Sequence, residues 1–174
     1  MKKLFALILA LGLLFSFAMA EEDVAIELSW DNVSEETKAL GSFYQIAIPN
    51  VGTLIYWMHQ DLAAVDVSLI EAEIPPVAAF AANDQYQAAV YVLVCTEDQE
   101  TYLASQGVTE DNLKIVVTNG IKAIAFENEE DDLDTLFILI GDDMIIEYDF
   151  TPLNGDEEWD AVKAATIASI QWAE

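Results

Sequence analysis

The chain has 174 residues, with 32 acidic side chains against six basic ones, no arginine and a formal net charge of −26. This balance leaves no basic patch for phosphates, which argues against nucleic acids and anionic lipid surfaces as partners. The hydrophobic content of 54% is too high for a disordered acidic chain. A single cysteine excludes an internal disulfide.

The first twenty residues have the pattern of a secretory signal peptide. Lys2 and Lys3 precede a long apolar run that ends in Ala18-Met19-Ala20, a small-x-small cleavage motif. We therefore predict cleavage after Ala20, a secreted product and a single domain over residues 21–174. An uncleaved membrane anchor is the alternative, which the acidic residues after the motif disfavour. Loss of the two lysines would lower the formal charge from −26 by two, to −28.

Alternating apolar residues and turn residues predict mostly short strands in the first half of the chain. These strands are Val24–Trp30, Phe43–Ile48, Leu54–Met58, Val77–Ala82 and Tyr86–Cys95. Ser34 is expected to cap a short helix that ends at Gly41. Asn83-Asp84-Gln85 is typical of a hairpin turn. Thr96-Glu97-Asp98-Gln99 matches a capping box, which predicts a Thr96 N-cap and a helix that stops at Gly107.

The second half predicts a series of hairpins followed by a helix. Its strands are Leu113–Val117, Lys122–Phe126, Thr135–Ile140 and Met144–Phe150. Asn119-Gly120 and Gly141-Asp142-Asp143 provide tight turns. The helix begins near Asp156, and its buried stripe consists of Trp159, Val162, Thr166 and Ile170. The fold class predicted from this order is α+β, with a largely antiparallel β-sheet flanked by helices.

The order of these segments resembles small secreted bacterial proteins of uncharacterised function with a Mog1/PsbP-like fold. The resemblance is carried by Val117–Ile124 (VTNGIKAI), an acidic loop, an apolar strand, Ile145–Pro152 (IIEYDFTP) and a helix that ends in Ala168–Gln171 (ASIQ). Where such proteins often have a proline after the Trp-containing strand, this chain has His59-Gln60-Asp61. The resemblance implies a central antiparallel sheet flanked by helices and a binding or accessory role. It implies no shared catalytic residues.

The densest acidic run, FENEEDDLD over Phe126–Asp134, holds six carboxylates in nine residues. A helix–loop–helix calcium site needs glycine at the sixth position of its register, where this chain has Leu133. Mutual repulsion of adjacent carboxylates favours a solvated loop between two strands. Weak calcium binding is the alternative, with these candidate metal ligands: Glu129, Glu130, Asp131 and Asp132.

Glu147 and Asp149 form a carboxylate pair whose spacing suggests acid–base chemistry. Two residues apart on a strand, they share one face at roughly 6.5–7 Å, near the separation in inverting glycosidases. A hydrolase that uses these two as surface carboxylates is therefore one hypothesis. The alternative is that they are ordinary polar residues on the wetter face of the sheet, and it is favoured because no cleft is recognisable in the sequence.

His59 is the only histidine, and no cysteine or carboxylate lies at zinc-ligand spacing around it in the sequence. It is expected at a strand end. Trp57, His59 and Asp61 together form a candidate ligand contact at the surface.

These features favour a secreted, non-enzymatic domain. We expect it to bind an extracellular protein or small ligand, with no cofactor other than calcium under consideration. The alternatives are a weakly calcium-dependent binding module and, third, the hydrolase.

Overall fold

The computed structural model describes residues 25–82 and 85–173. The predicted signal peptide and the turn residues Asn83 and Asp84 lie outside this part of the chain. The described residues form a mixed α/β structure dominated by antiparallel sheet, as the α+β prediction requires. No helix within them is long and apolar enough to cross a membrane.

Eleven strands and three α-helices make up the described part of the chain. The strands are β1 (Ile26–Leu28), β2 (Gly41–Ile48), β3 (Gly52–His59), β4 (Ala63–Ala64), β5 (Ala78–Ala82), β6 (Tyr86–Val94), β7 (Leu113–Thr118), β8 (Ile121–Asn128), β9 (Leu133–Ile140), β10 (Met144–Thr151) and β11 (Gln171–Trp172). The helices are α1 (Glu35–Lys38), α2 (Gln99–Ser105) and α3 (Glu157–Ser169). Short 3₁₀ turns cover Trp30–Asn32 and Val67–Leu69.

The strands form two sheets. The larger has the order β1-β7-β8-β9-β10-β6-β5-β4, and the smaller has the order β11-β3-β2. Neighbouring strands are antiparallel except β1 and β7, which pair in parallel from Ile26 with Val116 to Leu28 with Thr118. Because β1 pairs with a distant strand and not with its sequence neighbours, its place at the sheet edge is a tertiary result.

The main core lies between one face of the large sheet and a layer made of the small sheet and α3. Tyr56 of β3, Tyr148 of β10 and Trp159 of α3 are all buried in it. A second, smaller cluster on the other face contains Leu103 of α2 and Phe137 of β9. The large sheet is therefore covered on both faces, and its strands are apolar in both directions.

Local turn and cap chemistry matches the sequence in several places. Ser34 caps α1 by accepting from the Thr37 amide, and Asn119 and Gly120 have the positive φ angles of a tight hairpin. Helix α1 ends at Lys38, short of the predicted stop at Gly41. Gly41 instead opens β2, where an added Cβ would collide with the Trp57 ring.

The predicted capping box at Thr96 is wrong. Asp98 is the N-cap of α2 and accepts from the Thr101 amide at 2.8 Å. Gln99 is the first helical residue, and its Nε2 donates to the main-chain oxygens of Met144 at 2.8 Å and Ile140 at 3.3 Å. Because Gln99 is buried against the sheet, tertiary contact moves the start of the helix by two residues.

Helix α3 is tied to both sheets by polar contacts. The buried Lys163 ammonium donates to the Leu153 carbonyl and pairs with Asp134 at 3.1 Å. The Ser169 hydroxyl accepts from the Trp57 amide of β3 at 2.7 Å. The predicted inner stripe of this helix is buried as expected: Trp159, Val162, Thr166 and Ile170.

Candidate functional site

His59 ends β3 with its imidazole turned inward. The residue is only 7% exposed, and its ring meets Trp57 edge to face at a centroid distance of 5.9 Å. The chain turns at once, with the Gln60 amide donating to the Leu40 carbonyl and the Leu62 amide donating to the His59 carbonyl. This turn returns Asp61 towards the imidazole. The Asp61 amide donates to Nδ1 at 3.2 Å, and Oδ2 of its exposed carboxylate lies 3.8 Å from the same nitrogen.

Glu158 reaches the same place from the first turn of α3. Asp156 caps this helix by accepting from the Trp159 amide at 2.9 Å and from the Tyr86 hydroxyl at 3.0 Å. The amide hydrogen bond, followed by the hydroxyl, holds the pKa of Asp156 below its ordinary value. Acidic residues in the first turn also suit the positive end of the helix dipole. The local sequence therefore places Glu158 at the helix start, facing the end of β3.

Among residues 25–82 and 85–173, His59, Asp61 and Glu158 form the one group of three metal-type ligands in close proximity. One ligand atom from each lies within 4.8 Å of the other two. They open onto a pocket of about 130 Å³, which we call the β3–α3 pocket. Its lining residues are His59, Asp61, Leu62, Ala82, Tyr86, Glu158, Trp159 and Val162.

The walls of the β3–α3 pocket combine negative charge with aromatic surface. The Tyr86 and Trp159 rings lie 5.0 Å apart at their centroids. Asp61 and Glu158 are exposed, whereas His59 and Trp159 are buried. Two exposed carboxylates thus face a buried imidazole over an aromatic wall. This arrangement suits a small positively charged group, because carboxylates and ring faces both attract cations.

Trp57 does not take part as the sequence predicted. Its side chain is 1% exposed and does not line the β3–α3 pocket, so a direct surface contact through this indole is wrong. The Trp57 ring instead packs against the His59 imidazole and helps to hold it in position. His59 and Asp61, the other two predicted ligand contacts, do lie together in the pocket.

Residues 129–132 of the acidic run form the β8–β9 loop, and the other residues of the run belong to the ends of β8 and β9. Asn128 orders the loop by accepting from the Glu130 and Asp131 amides at 3.2 Å. Asp132 has a φ of 57°, and its carboxylate accepts from the Leu153 amide. Glu129 and Glu130 are exposed beside a shallow depression of about 610 Å³. In the described part of the chain these carboxylates form no close group of three, and calcium binding by them stays a prediction.

The description of Glu147 and Asp149 as surface carboxylates is wrong. Both are half-buried on the face of the large sheet that α2 covers. The Tyr102 hydroxyl of α2 donates to Glu147 at 2.6 Å, and the Thr135 hydroxyl of β9 donates to Asp149 at 2.8 Å. The two carboxyl groups are close enough for the charge of Asp149 to affect the pKa of Glu147.

Burial changes the protonation of this pair. Burial, and then the charge of Asp149, raises the pKa of Glu147 to about 7. Burial also raises the pKa of Asp149, against the opposing effect of the Thr135 hydrogen bond. Glu147 therefore stays mostly protonated at pH values below about 7. The neighbouring Tyr91 and Tyr102 have pKa values raised mainly by burial, so both stay neutral.

Sequence reasoning missed Glu158 and the Tyr102–Glu147 contact. In the sequence, Glu158 is explained by the helix dipole alone, and Tyr102 lies 45 residues from its partner in the chain. The one available signal for Glu158 was its place in the first turn of a helix that follows an N-cap aspartate.

We compared the chain with family models, curated proteins and solved structures, and none of the three comparisons gave a match.

Proposed function

We propose that this protein is a secreted binding domain that holds a small positively charged group in the β3–α3 pocket. The observation that carries the proposal is the convergence of His59, Asp61 and Glu158 on one pocket from two separate elements. Exposed acidic side chains usually point into solvent and away from one another. Here the carboxylates of Asp61 and Glu158 lie close together beside the buried imidazole of His59. A cationic ligand would stabilise this arrangement, because it would offset the repulsion between the two carboxylates.

The surrounding charge favours the same class of ligand. The formal charge of the whole chain is −26, so the field around the pocket is negative. No lysine lines the β3–α3 pocket, so its carboxylates have no internal counter-charge there. A negative field focused on a concave site raises the local concentration of cations.

The residues that line the β3–α3 pocket support a binding function without catalysis. The residues around the pocket include no serine, threonine or cysteine that could act as a nucleophile beside His59. The proposal is therefore non-enzymatic.

Export and fold family belong to the same proposal. The signal-peptide pattern in the sequence of residues 1–20 supports secretion. The mature chain would then act on an extracellular small ligand or on a basic group of an extracellular protein. A Mog1/PsbP-like relationship is part of the proposal, and it rests on the order of the segments in the sequence. The fold by itself assigns no ligand, which is why the pocket carries the functional argument.

The test is a titration of the isotopically labelled protein with methylammonium, followed by NMR. We expect saturable chemical-shift changes at the Trp159 indole and at the residues around His59. The D61N and E158Q variants should each bind methylammonium more weakly. E157Q is the matched control, because Glu157 lies next to Glu158 outside the pocket. Shifts spread evenly over the surface, or equally weakened by all three variants, would contradict the proposal.

A further inference from the structure

We infer that the β3–α3 pocket binds a divalent transition-metal ion through the His59 imidazole and the carboxylates of Asp61 and Glu158. This inference rests on the proposed function, since it names the cation that the pocket would hold. It adds a ligand class that neither the charge of the chain nor the fold suggests by itself.

The distances suit a metal ion after small side-chain movements. Metal–ligand bonds of about 2.0–2.2 Å place neighbouring ligand atoms roughly 3–4 Å apart. The Nδ1 atom of His59 and Oδ2 of Asp61 are already 3.8 Å apart, and the three ligand atoms lie within 4.8 Å of one another. Asp61 and Glu158 are both exposed, so their carboxylates can close around an ion without moving the backbone.

The imidazole is held ready for coordination. The His59 side chain is 8% exposed, and its ring is fixed against Trp57 at the end of β3. Because Nδ1 accepts a hydrogen bond from the Asp61 amide, this nitrogen carries a lone pair on the side of the Asp61 carboxylate. A neutral imidazole nitrogen with a lone pair is the form that binds metal ions, and a metal ion here would compete with the Asp61 amide for that lone pair. Coordination would replace the 3.2 Å amide contact with a stronger bond.

The donor set selects the class of metal. One imidazole nitrogen with two carboxylates suits Zn²⁺, Ni²⁺ or Cu²⁺, whereas Ca²⁺ and Mg²⁺ prefer oxygen ligands alone. Three protein ligands also leave positions for water or for a group of an external molecule. The acidic β8–β9 loop has only oxygen donors, so the two regions would differ in the cation that they prefer.

The test uses the untagged protein, expressed from the full chain and treated with a chelator. Zn²⁺, Ni²⁺, Cu²⁺ and Ca²⁺ are titrated separately by calorimetry, in a C95S background that removes the only thiol. We expect saturable binding of one transition-metal ion and no comparable binding of Ca²⁺. D61N and E158Q should each raise the dissociation constant by about tenfold or more. E157Q should leave it unchanged.

A spectroscopic readout identifies the nitrogen ligand. His59 is the only histidine in the chain, so an imidazole signal in pulsed EPR of the Cu²⁺-loaded protein can come from no other side chain. H59Q should abolish this signal. Circular dichroism of H59Q shows whether the variant folds, and if it does not, the D61N and E158Q titrations decide the matter.

The outcomes separate the two proposals. Absence of saturable binding, affinity that D61N and E158Q leave unchanged, or a Cu²⁺ spectrum without imidazole would each overturn the metal assignment. If the metals fail while methylammonium still shifts the pocket residues, the metal assignment falls and the binding function stands. If both probes fail, both proposals fall.

Discussion

At the scale of single residues, the chemistry of this protein depends on where its carboxylates are buried. Glu147 lies under α2 between Tyr102 and Asp149. Its neighbours on the facing strands are Tyr91 and Phe137. A buried carboxyl that lacks a cation stays protonated because the charged form is poorly solvated.

Glu147 should make stability depend on pH. The unfolded chain releases this proton near the ordinary pKa of 4.5, whereas the folded protein keeps it to about 7. The stabilising contribution is therefore complete below pH 4.5 and is lost as the pH rises to about 7. Relative to E147Q, the wild-type protein should lose on the order of 2 kcal/mol of unfolding free energy between about pH 5 and about pH 8.

Urea unfolding at several pH values measures this difference. E129Q is the control, because Glu129 is exposed in the β8–β9 loop and should follow the wild-type curve. Parallel curves for wild type and E147Q would show that Glu147 has an ordinary pKa in the folded protein.

At the scale of elements, one hairpin turn also caps a helix. The side-chain amide of Asn119 donates to the carbonyls of Ala168 at 3.0 Å and Ile170 at 2.9 Å, at the end of α3. Its φ of 48° is the left-handed conformation that the turn between β7 and β8 requires. One residue thus satisfies the turn and the unpaired carbonyls of the helix end.

Two substitutions at Asn119 separate these roles. N119G keeps the positive φ and loses the two hydrogen bonds, so unfolding free energy should fall by about 1–2 kcal/mol. N119A loses the bonds and also strains the turn, so it should cost about 1 kcal/mol more. Chemical denaturation of both variants measures the difference. Equal stability of N119G and wild type would mean that water replaces the side-chain amide without loss.

Local chemistry accounts for the parts of these elements that the sequence predicted correctly. The Ser34 cap and the Asn119-Gly120 turn each depend on residues within three positions of each other. Features this local can be predicted from the sequence. The prediction of a Thr96 N-cap was wrong although the sequence matches the capping-box motif. The Gln99 side chain instead donates hydrogen bonds to main-chain oxygens of β9 and β10. Burial of that amide under the helix outweighs the local motif.

At the scale of the whole molecule, the charge is the dominant physical property. A formal charge of −26 on 174 residues repels itself in the compact state. Salt screens this repulsion, so added salt should raise the thermal midpoint. The exposed carboxylates of Glu129 and Glu130 in the β8–β9 loop contribute to the repulsion. Asp131 and Asp132 are already engaged by Asn128 and Leu153.

Calcium and magnesium chloride at matched concentration should therefore raise the midpoint equally. Thermal unfolding followed by circular dichroism tests this, with the double variant E129Q/E130Q as the matched comparison. An additional, saturable rise with calcium that the double variant abolishes would show that the loop is a calcium site, by linkage of binding to stability.

The sequence by itself determined the acidity, the alternation of strands and turns, the amphipathic closing helix and the α+β class. Each of these depends on composition or on neighbours a few residues apart. Only the tertiary structure decided which side chains meet. It brought His59 to Glu158, placed Tyr102 on Glu147 and buried Trp57, because these contacts join elements that are far apart in the chain. Local sequence patterns do not predict contacts between residues that are far apart in the chain. The candidate site is formed only when β3 packs against α3.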